Sequence, residues 1–344
     1  MSTTRTVGIG LVGCGTIGPL HARAVAGIEG ARLVAVADLR RERSEKLAAE
    51  HGVTACSSMD ELLGTPGVDL VSICTPSGTH GELGAQAARA GRHVVVEKPV
   101  DTTMQAARDL VEACHKAGVV LSVISQHRFD PGTQRLKATL DAGGLGRVLL
   151  AEGRVWWYRS QGYYDAGSWR GTYAQDGGAL MNQGIHTVDL LLHLLGPVRS
   201  VFARATTAAH RMEAEDLLVA NLAFASGVLG VLSVTTASFP GVPETVAVTG
   251  TSANVVLEAG SVRTWDQDEA ALGKAPETAG TTLASAALGS RHLGETAHRL
   301  QLADVVSAIR NDHAPAVRGE DGLAALGLVL AAYESARTGT DTAL

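Results

Sequence analysis

The segment TVGIGLVGCGTIGPLHARAVAG, residues 6–27, constrains the fold more than any other stretch of the chain. An apolar strand runs straight into Gly13-x-Gly15-x-x-Gly18, and the residues after it have helical spacing. The first glycine permits a tight turn, and the second lets backbone come close to a pyrophosphate. The third lets helix pack on strand, while Thr16 and Ile17 complete the turn that faces the phosphates. ARLVAVAD then ends on Asp38, twenty residues after Gly18, where a carboxylate accepts hydrogen bonds from ribose hydroxyls. A plain helix cap before LRRERSEKL is the blander role for Asp38.

Strand and helix patterns alternate from there. VDLVSICT (68–75), a helix over 80–90, HVVVEK, a helix over 102–117 and VVLSVIS (119–125) follow in order. The pattern predicts an α/β fold whose first domain, residues 1–126, is a doubly wound parallel Rossmann sheet with ligands at the carboxyl ends of its strands. HVVVEKPVD (93–101) belongs to that edge: three valines read as a strand buried on both faces, yet it ends on Glu97, Lys98 and Pro99. A solvated lysine is the simple alternative. Pro99 fixes the backbone and so aims Lys98 at the ligand edge.

At 344 residues, two domains are the default. A net charge of −6 without a basic run argues against a nucleic-acid partner, and no apolar run is long enough to span a bilayer. The N-terminal residues show no signal-peptide layout, and Cys14, Cys56, Cys74 and Cys114 lack any CxxC spacing. Buried thiols in a reducing cytoplasm fit best, with no metal.

Residues 127–344 change character from about 147. Five segments between 147 and 250 read as strands with short turns, giving an α+β domain with a large, mostly antiparallel open sheet. Residues 267–290 are rich in Ala, Gly, Thr and Ser and read as a mobile loop; amphipathic helices follow near 296–310 and 321–337. In the helix after DGGALM, Asn182, His186, Asp189 and His193 share one face at α-helical spacing. A solvated stripe is one reading, and a metal held by the two histidines is another. Gly177 and Gly178 favour a third, in which the helix start approaches a ligand with Asn182 and His186 pointing into it. Seven of the thirteen aromatic residues lie within 156–173. Trp156 or Trp157 suits the core, whereas Tyr163, Tyr164 and Trp169 sit among polar residues and suit a pocket wall for a polyol ring.

GCGTIGPLH, TPSGTH, HVVVEKP, WRGTYAQDGGALMNQGIHTVDLL and GEDGLAALGLVLAAYESARTG together resemble the glucose–fructose oxidoreductase/inositol dehydrogenase (Gfo/Idh/MocA) family over nearly the whole chain. The resemblance implies NAD(P)-dependent hydride transfer on a secondary alcohol, a substrate-binding second domain and homo-oligomers, dimer or tetramer. It makes Lys98 and His186 the proton-handling pair, with Asn182 beside them. Thr75, Pro76, His80, Glu97, Lys98 and Gln126 would line the nicotinamide, and Trp169 and Arg170 the cofactor–substrate junction. Lys98, Arg128, Tyr163, Trp169, Asn182 and His186 would meet the substrate. Many members carry Asp where this chain has Asn182, and an amide cannot raise the basicity of His186 through charge.

The leading expectation is therefore an NAD-dependent dehydrogenase of a sugar or inositol-like cyclitol. Arg40 and Arg41 leave NADP open, since they follow Asp38 and can pair with a phosphate. A nucleotide-sugar (UDP-sugar) 3-dehydrogenase is the runner-up, with Arg154, Arg159 and Arg170 available for a diphosphate. A non-catalytic redox sensor is the third reading, though it has no need of Lys98 and His186.

Overall fold

A computed structural model describes residues 6–267 and 291–344. It divides into two compact units, Met1–Gln126 with His292–Leu323 and His127–Arg291 with Ala324–Leu344.

In the first unit, six strands form one parallel sheet: β1 (Val7–Val12), β2 (Ala31–Ala37), β3 (Thr54–Cys56), β4 (Leu70–Ile73), β5 (His93–Val96) and β6 (Leu121–Val123). Their order is β3-β2-β1-β4-β5-β6, so the order reverses between β1 and β4. β1 and β4 are buried at every residue, and Val94–Val96 of β5 likewise, because helices cover both faces of such a sheet. Those helices are α1 (Gly18–Ala26), α2 (Arg41–His51), α3 (Met59–Gly64), α4 (His80–Arg89) and α5 (Met104–Ala117). The carboxyl ends of parallel strands share one edge, which brings Gly13, Asp38, Thr75, Glu97, Lys98 and Gln126 to the same rim.

The sequence reading gives everything after 126 to the second domain; the contacts instead group His292–Leu323 with the first unit. The reason is packing. α9 (Arg291–Asn311) buries Leu302, Val305 and Val306 against Val7, Ile9, Leu70 and Val95. Gln301 fixes the register, accepting from Ser125 N at 2.9 Å and donating to the Val123 carbonyl at 2.8 Å. At the start of α10 (Gly319–Thr338), a Cβ on Gly319 or Gly322 would meet Leu121 or Val123 at 2.6 Å, so two glycines bring that helix onto β6.

The second unit holds an eight-stranded sheet in the order β13-β12-β11-β7-β10-β9-β8-β14. Its strands are β7 (Val148–Trp156), β8 (Val198–Thr206), β9 (Leu217–Phe224), β10 (Leu229–Thr235), β11 (Thr245–Gly250), β12 (Ala253–Glu258), β13 (Ser261–Gln267) and β14 (Thr342–Ala343). All neighbours are antiparallel except β7 and β10, and β12 to β14 extend the five expected strands. Gly153 of β7 leaves room for Thr187 and Leu191 of α8 (Ile185–Leu195), which lies on the inner face with α6 (Pro131–Asp141). The outer face exposes Leu150, Val219, Leu229 and Val231. The loop expected at 267–290 lies outside the described residues, apart from Gln267, which ends β13.

Candidate active site

The glycine turn of the first unit has the shape its sequence requires. Gly13 has φ of +97°, and a Cβ there would stand 2.5 Å from the Cys74 carbonyl oxygen. A Cβ on Gly18 would meet the Gly13 oxygen at 2.1 Å, whereas Gly15 faces open space with its nearest neighbour, an Arg43 nitrogen, at 3.9 Å. No side chain caps the start of α1, and Thr16 and Ile17 lie at the surface end of the turn. Asp38 holds the turn to β2: one oxygen accepts from Cys14 N (2.9 Å) and the other from Arg40 N (2.8 Å). Each oxygen keeps a second lone pair for a hydroxyl. Arg41 forms an ion pair with Glu45 at 2.7 Å. Gln126, buried beyond β6, has an Oε1 with no hydrogen-bond partner among the described residues. The open Gly15, the uncapped helix and the orphaned amide oxygen fit a dinucleotide.

The strand end at Glu97 is built differently from what the sequence suggests. Glu97 is buried. Its Oε1 accepts from His21 Nε2 (2.9 Å) and His298 Nε2 (3.4 Å), and its Oε2 from the backbone N–H of Lys98 (3.1 Å). Burial alone would lift this carboxyl, but hydrogen bonds from the two imidazoles hold it well below the usual range. Burial depresses His21, which stays neutral, donates to Glu97 and accepts from Ser72 Oγ at 2.9 Å. The ring nitrogens of His21 and His298 and a Glu97 carboxylate oxygen lie within 4.8 Å of one another. The distances are those of hydrogen bonds.

His80 is likewise buried. Its ring nitrogens face the carbonyls of Pro99 (2.7 Å) and Thr75 (2.9 Å), and burial keeps it neutral, so it donates to one of the two at a time. It braces both turns of the rim, since Thr75 begins the TPSGT turn and the Lys98–Pro99 peptide, which is cis, follows β5. Thr75 Oγ1 bonds Thr79 Oγ1 at 2.7 Å across Pro76. Lys98 itself is half-buried.

In the second unit the helix that bears Asn182 and His186 opens with a π-turn, Leu180–Gly184, before α8. The α-helical spacing expected from Asn182 onward is therefore broken at its start. Asp189, expected at the solvated stripe, is buried and takes a two-point ion pair from Arg128, at 2.8 and 2.6 Å. Arg128, expected at the substrate, thus ties α8 to the segment before α6. His186 meets His127 edge to face, ring centres 5.1 Å apart. Both line a pocket of about 300 Å³, counted with its open mouth, beside Thr133, Leu190 and Glu244. Burial opposes protonation of His127, but the Asp130 carboxylate at 2.7 Å outweighs it and raises its pKa.

The two glycines before the π-turn serve the protein rather than a ligand. Gly177 has φ of +74°, and a Cβ on Gly178 would lie 1.6 Å from Glu215 Oε2. Glu215 Oε1 accepts from Leu180 N (2.7 Å) and from Tyr333 Oη (3.1 Å), while Tyr333 Oη accepts from Gly178 N and Met181 N. A distant acid and a distant phenol thus satisfy the helix start. Burial pushes Glu215 up to about 7. The departure at 182 has a counterpart too: Asn182 Nδ2 donates to Asp176 Oδ1, and Asp176 Oδ2 accepts from Gly171 N at 2.8 Å.

Among the aromatics the expected roles are partly exchanged. Trp156 is 40% exposed and donates to Ser233 Oγ, while Tyr164 is 6% exposed and bonds Thr236 Oγ1 at 2.7 Å. Strand alternation sends Trp156 to the open face of the sheet, and α7 (Gln161–Asp165) turns Tyr164 inward. Arg170 lies over Tyr163 (4.1 Å) and Trp169 (4.5 Å); Arg159 lies over Tyr163 and Trp157, 5.4 Å from each.

His21, His298, Asp176, Glu215 and Tyr333 had no part in the sequence reading. A histidine inside the apolar repeat of α1 and an acid directly before a Gly-Gly pair were the available signals for two of them.

Comparison with known proteins agrees with this construction. Residues 7–125 match the oxidoreductase family with an NAD-binding Rossmann fold, and residues 133–256 match the GFO/IDH/MocA C-terminal domain. The chain is 29% identical to myo-inositol 2-dehydrogenase of Thermotoga maritima, over 95% of each chain. It is 34% identical to scyllo-inositol 2-dehydrogenase (NAD(+)) of Bacillus subtilis, over 54% of this chain and 53% of that one. Its structure aligns with the WlbA dehydrogenase from Bordetella pertussis, solved in complex with NADH and UDP-GlcNAcA, with a TM-score of 0.90. That match has 35% identity and covers 100% of this chain and 99% of the other.

The fold, the glycine turn and these likenesses define an NAD-binding oxidoreductase that acts on hydroxyl groups. The chain belongs to the Gfo/Idh/MocA family.

Proposed function

We propose that this enzyme oxidises a secondary ring hydroxyl of a nucleotide-linked, negatively charged sugar. One observation carries the reading. Arg159 and Arg170 converge on the Tyr163 ring, and neither pairs with a carboxylate among the described residues. Two guanidinium groups beside three aromatic rings form a site for a planar base or sugar face together with phosphate or carboxylate oxygens. The likeness to a WlbA dehydrogenase holding UDP-GlcNAcA supports it. A neutral cyclitol, the class named for the inositol 2-dehydrogenases, is the competing substrate.

When bound, NAD supplies the hydride acceptor. Gly13, Gly15 and Gly18 with Thr16, Ile17 and the start of α1 would receive its pyrophosphate, and Asp38 its ribose hydroxyls. Thr75, Pro76 and Gln126 would meet the nicotinamide end. The alcohol must give up a proton as the hydride leaves; Lys98 and His186 would handle it, with Asn182 as a hydrogen-bond acceptor. Trp169 and Arg170 would bridge cofactor and sugar. Glu97 and His80 act from behind, holding the Lys98 turn.

NADH formation measured across inositols, aldoses, UDP-sugars and UDP-linked uronates tests the assignment. The highest kcat/KM is expected for a UDP-linked anionic sugar, and Arg159→Ala should raise its KM far more than the KM for NAD. A higher kcat/KM for myo- or scyllo-inositol than for every UDP-sugar would return the substrate to the cyclitols. NAD should be preferred over NADP, because Asp38 repels a 2′-phosphate and Arg41 is engaged with Glu45. The apolar outer face of the second unit's sheet suits a homodimer or tetramer, checked by light scattering. Four unpaired, buried cysteines suit a reducing cytoplasm.

A further inference from the structure

We propose that Asp176 is a positioning residue that fixes the Asn182 amide, and with it the Trp169–Arg170 turn, so that Asn182 presents its carbonyl oxygen away from Asp176 as a hydrogen-bond acceptor. The proposal rests on the reading of Asn182 and His186 as the proton-handling end of the site.

Asp176 is 2% exposed. One of its oxygens accepts from Asn182 Nδ2 and the other from the backbone N–H of Gly171, next to Arg170. A carboxylate only accepts, so the amide end facing it must be the NH2, and the assignment of Asn182 is forced by chemistry. The end turned away is then the carbonyl oxygen, which accepts a hydrogen bond and cannot donate one. The charge on Asp176 is felt nearby: burial raises Tyr163 and Tyr164 of α7, and Asp176 adds to both shifts. Arg170 stands over the same Tyr163 ring, and Glu215 and Tyr333 hold the start of the π-turn.

The pair is therefore an acid and an amide with a definite order, and exchanging them is the experiment. Three variants are compared with the native enzyme: Asp176→Asn, Asn182→Asp and the double exchange. In Asp176→Asn the new amide can still accept from Gly171, but its NH2 faces that of Asn182. Rotation of Asn182 relieves the clash and turns its donor, in place of its acceptor, away from position 176. Near-native thermal unfolding with kcat lowered about tenfold or more is expected, the scale of one misdirected hydrogen bond. In Asn182→Asp two carboxylates meet where they cannot both ionise, so one retains a proton. Its unfolding midpoint should fall, relative to the native enzyme, as pH rises from 5 to 8. The double exchange restores one acid and one amide, keeps an acceptor for Gly171 and presents a carboxylate oxygen at 182. It should remove the added pH dependence and recover kcat to within about threefold of native.

Rates are taken as ratios on whichever substrate of the panel is turned over, so a cyclitol substrate would overturn the substrate assignment and leave this test intact. Native kcat in Asp176→Asn would overturn the proposal. So would a double exchange no better than the worse single variant in both unfolding and kcat.

Discussion

Two buried glutamates, one in each unit, hold the two ends of the proposed chemistry, and they titrate in opposite directions. Glu97 stands behind Lys98 and is kept ionised by three N–H donors: two imidazoles and a peptide. Glu215 stands behind the π-turn that bears Asn182, and burial lifts it to about 7, with Oε2 unpartnered among the described residues. Burial is nearly equal, at 5% and 2% exposure, so it does not decide the outcome. The number and placement of donors do. An acid surrounded by N–H groups is a fixed charge; one with a bare oxygen is a group that titrates where enzymes work.

Replacing Glu97 by Gln should cause the largest change. The variant loses two charge-assisted hydrogen bonds and sets an amide N–H against that of Lys98, costing on the order of 4 kcal/mol at pH 7. Because Glu97 titrates below its unfolded value, this stabilisation is present above about pH 4.5 and fades as pH falls further. Urea unfolding of the two proteins at pH 7 and pH 4 should show the gap closing; a constant gap would mean that Glu97 is not held as a charge.

Lys98→Met comes next. Length is kept while charge and donors vanish, so turnover should fall about 10²-fold, roughly 3 kcal/mol of barrier, with NAD affinity largely unchanged. Lys98→Arg should not rescue it, because guanidinium does not release its proton. Near-native turnover in Lys98→Met would make the residue a solvated strand end.

Glu215→Gln is the smallest of the three and runs the other way. Since the folded protein binds this proton more tightly than the unfolded chain, native stability should decline by roughly 2 kcal/mol between pH 4.5 and 7. The Gln variant should lack that decline and match or exceed the native protein at pH 8. Parallel stability profiles in the two proteins would show that Glu215 is charged throughout.

The first unit was largely legible because its local rules and its packing agree. Gly13 needs a positive φ, Gly18 needs to pack closely, and strands covered on both faces read as valine runs. The site beneath it was less so. Nothing near Glu97 in sequence announces His21 and His298, which reach it from 76 and 201 residues away. Gly177 and Gly178 were visible as special, but the causes are a positive φ beside Met181 for the first and Glu215 for the second, and a glycine pair reads the same whether ligand or protein fills the space. The π-turn escaped because hydrophobic period does not distinguish one extra residue in a turn. An amphipathic pattern near 296–310 gave a helix with an apolar face but not the partner of that face.

That partner has a consequence for how the chain is made. Leu302, Val305 and Val306 close the core around Val7 and Ile9, residues translated almost three hundred positions earlier. During synthesis the nascent first unit leaves the ribosome with one flank of its sheet bare, and residues 127–291 of the second unit are made before α9 arrives. In that interval the apolar flank is open to other partners, so a fragment ending before 292 is expected to be less soluble than the full chain.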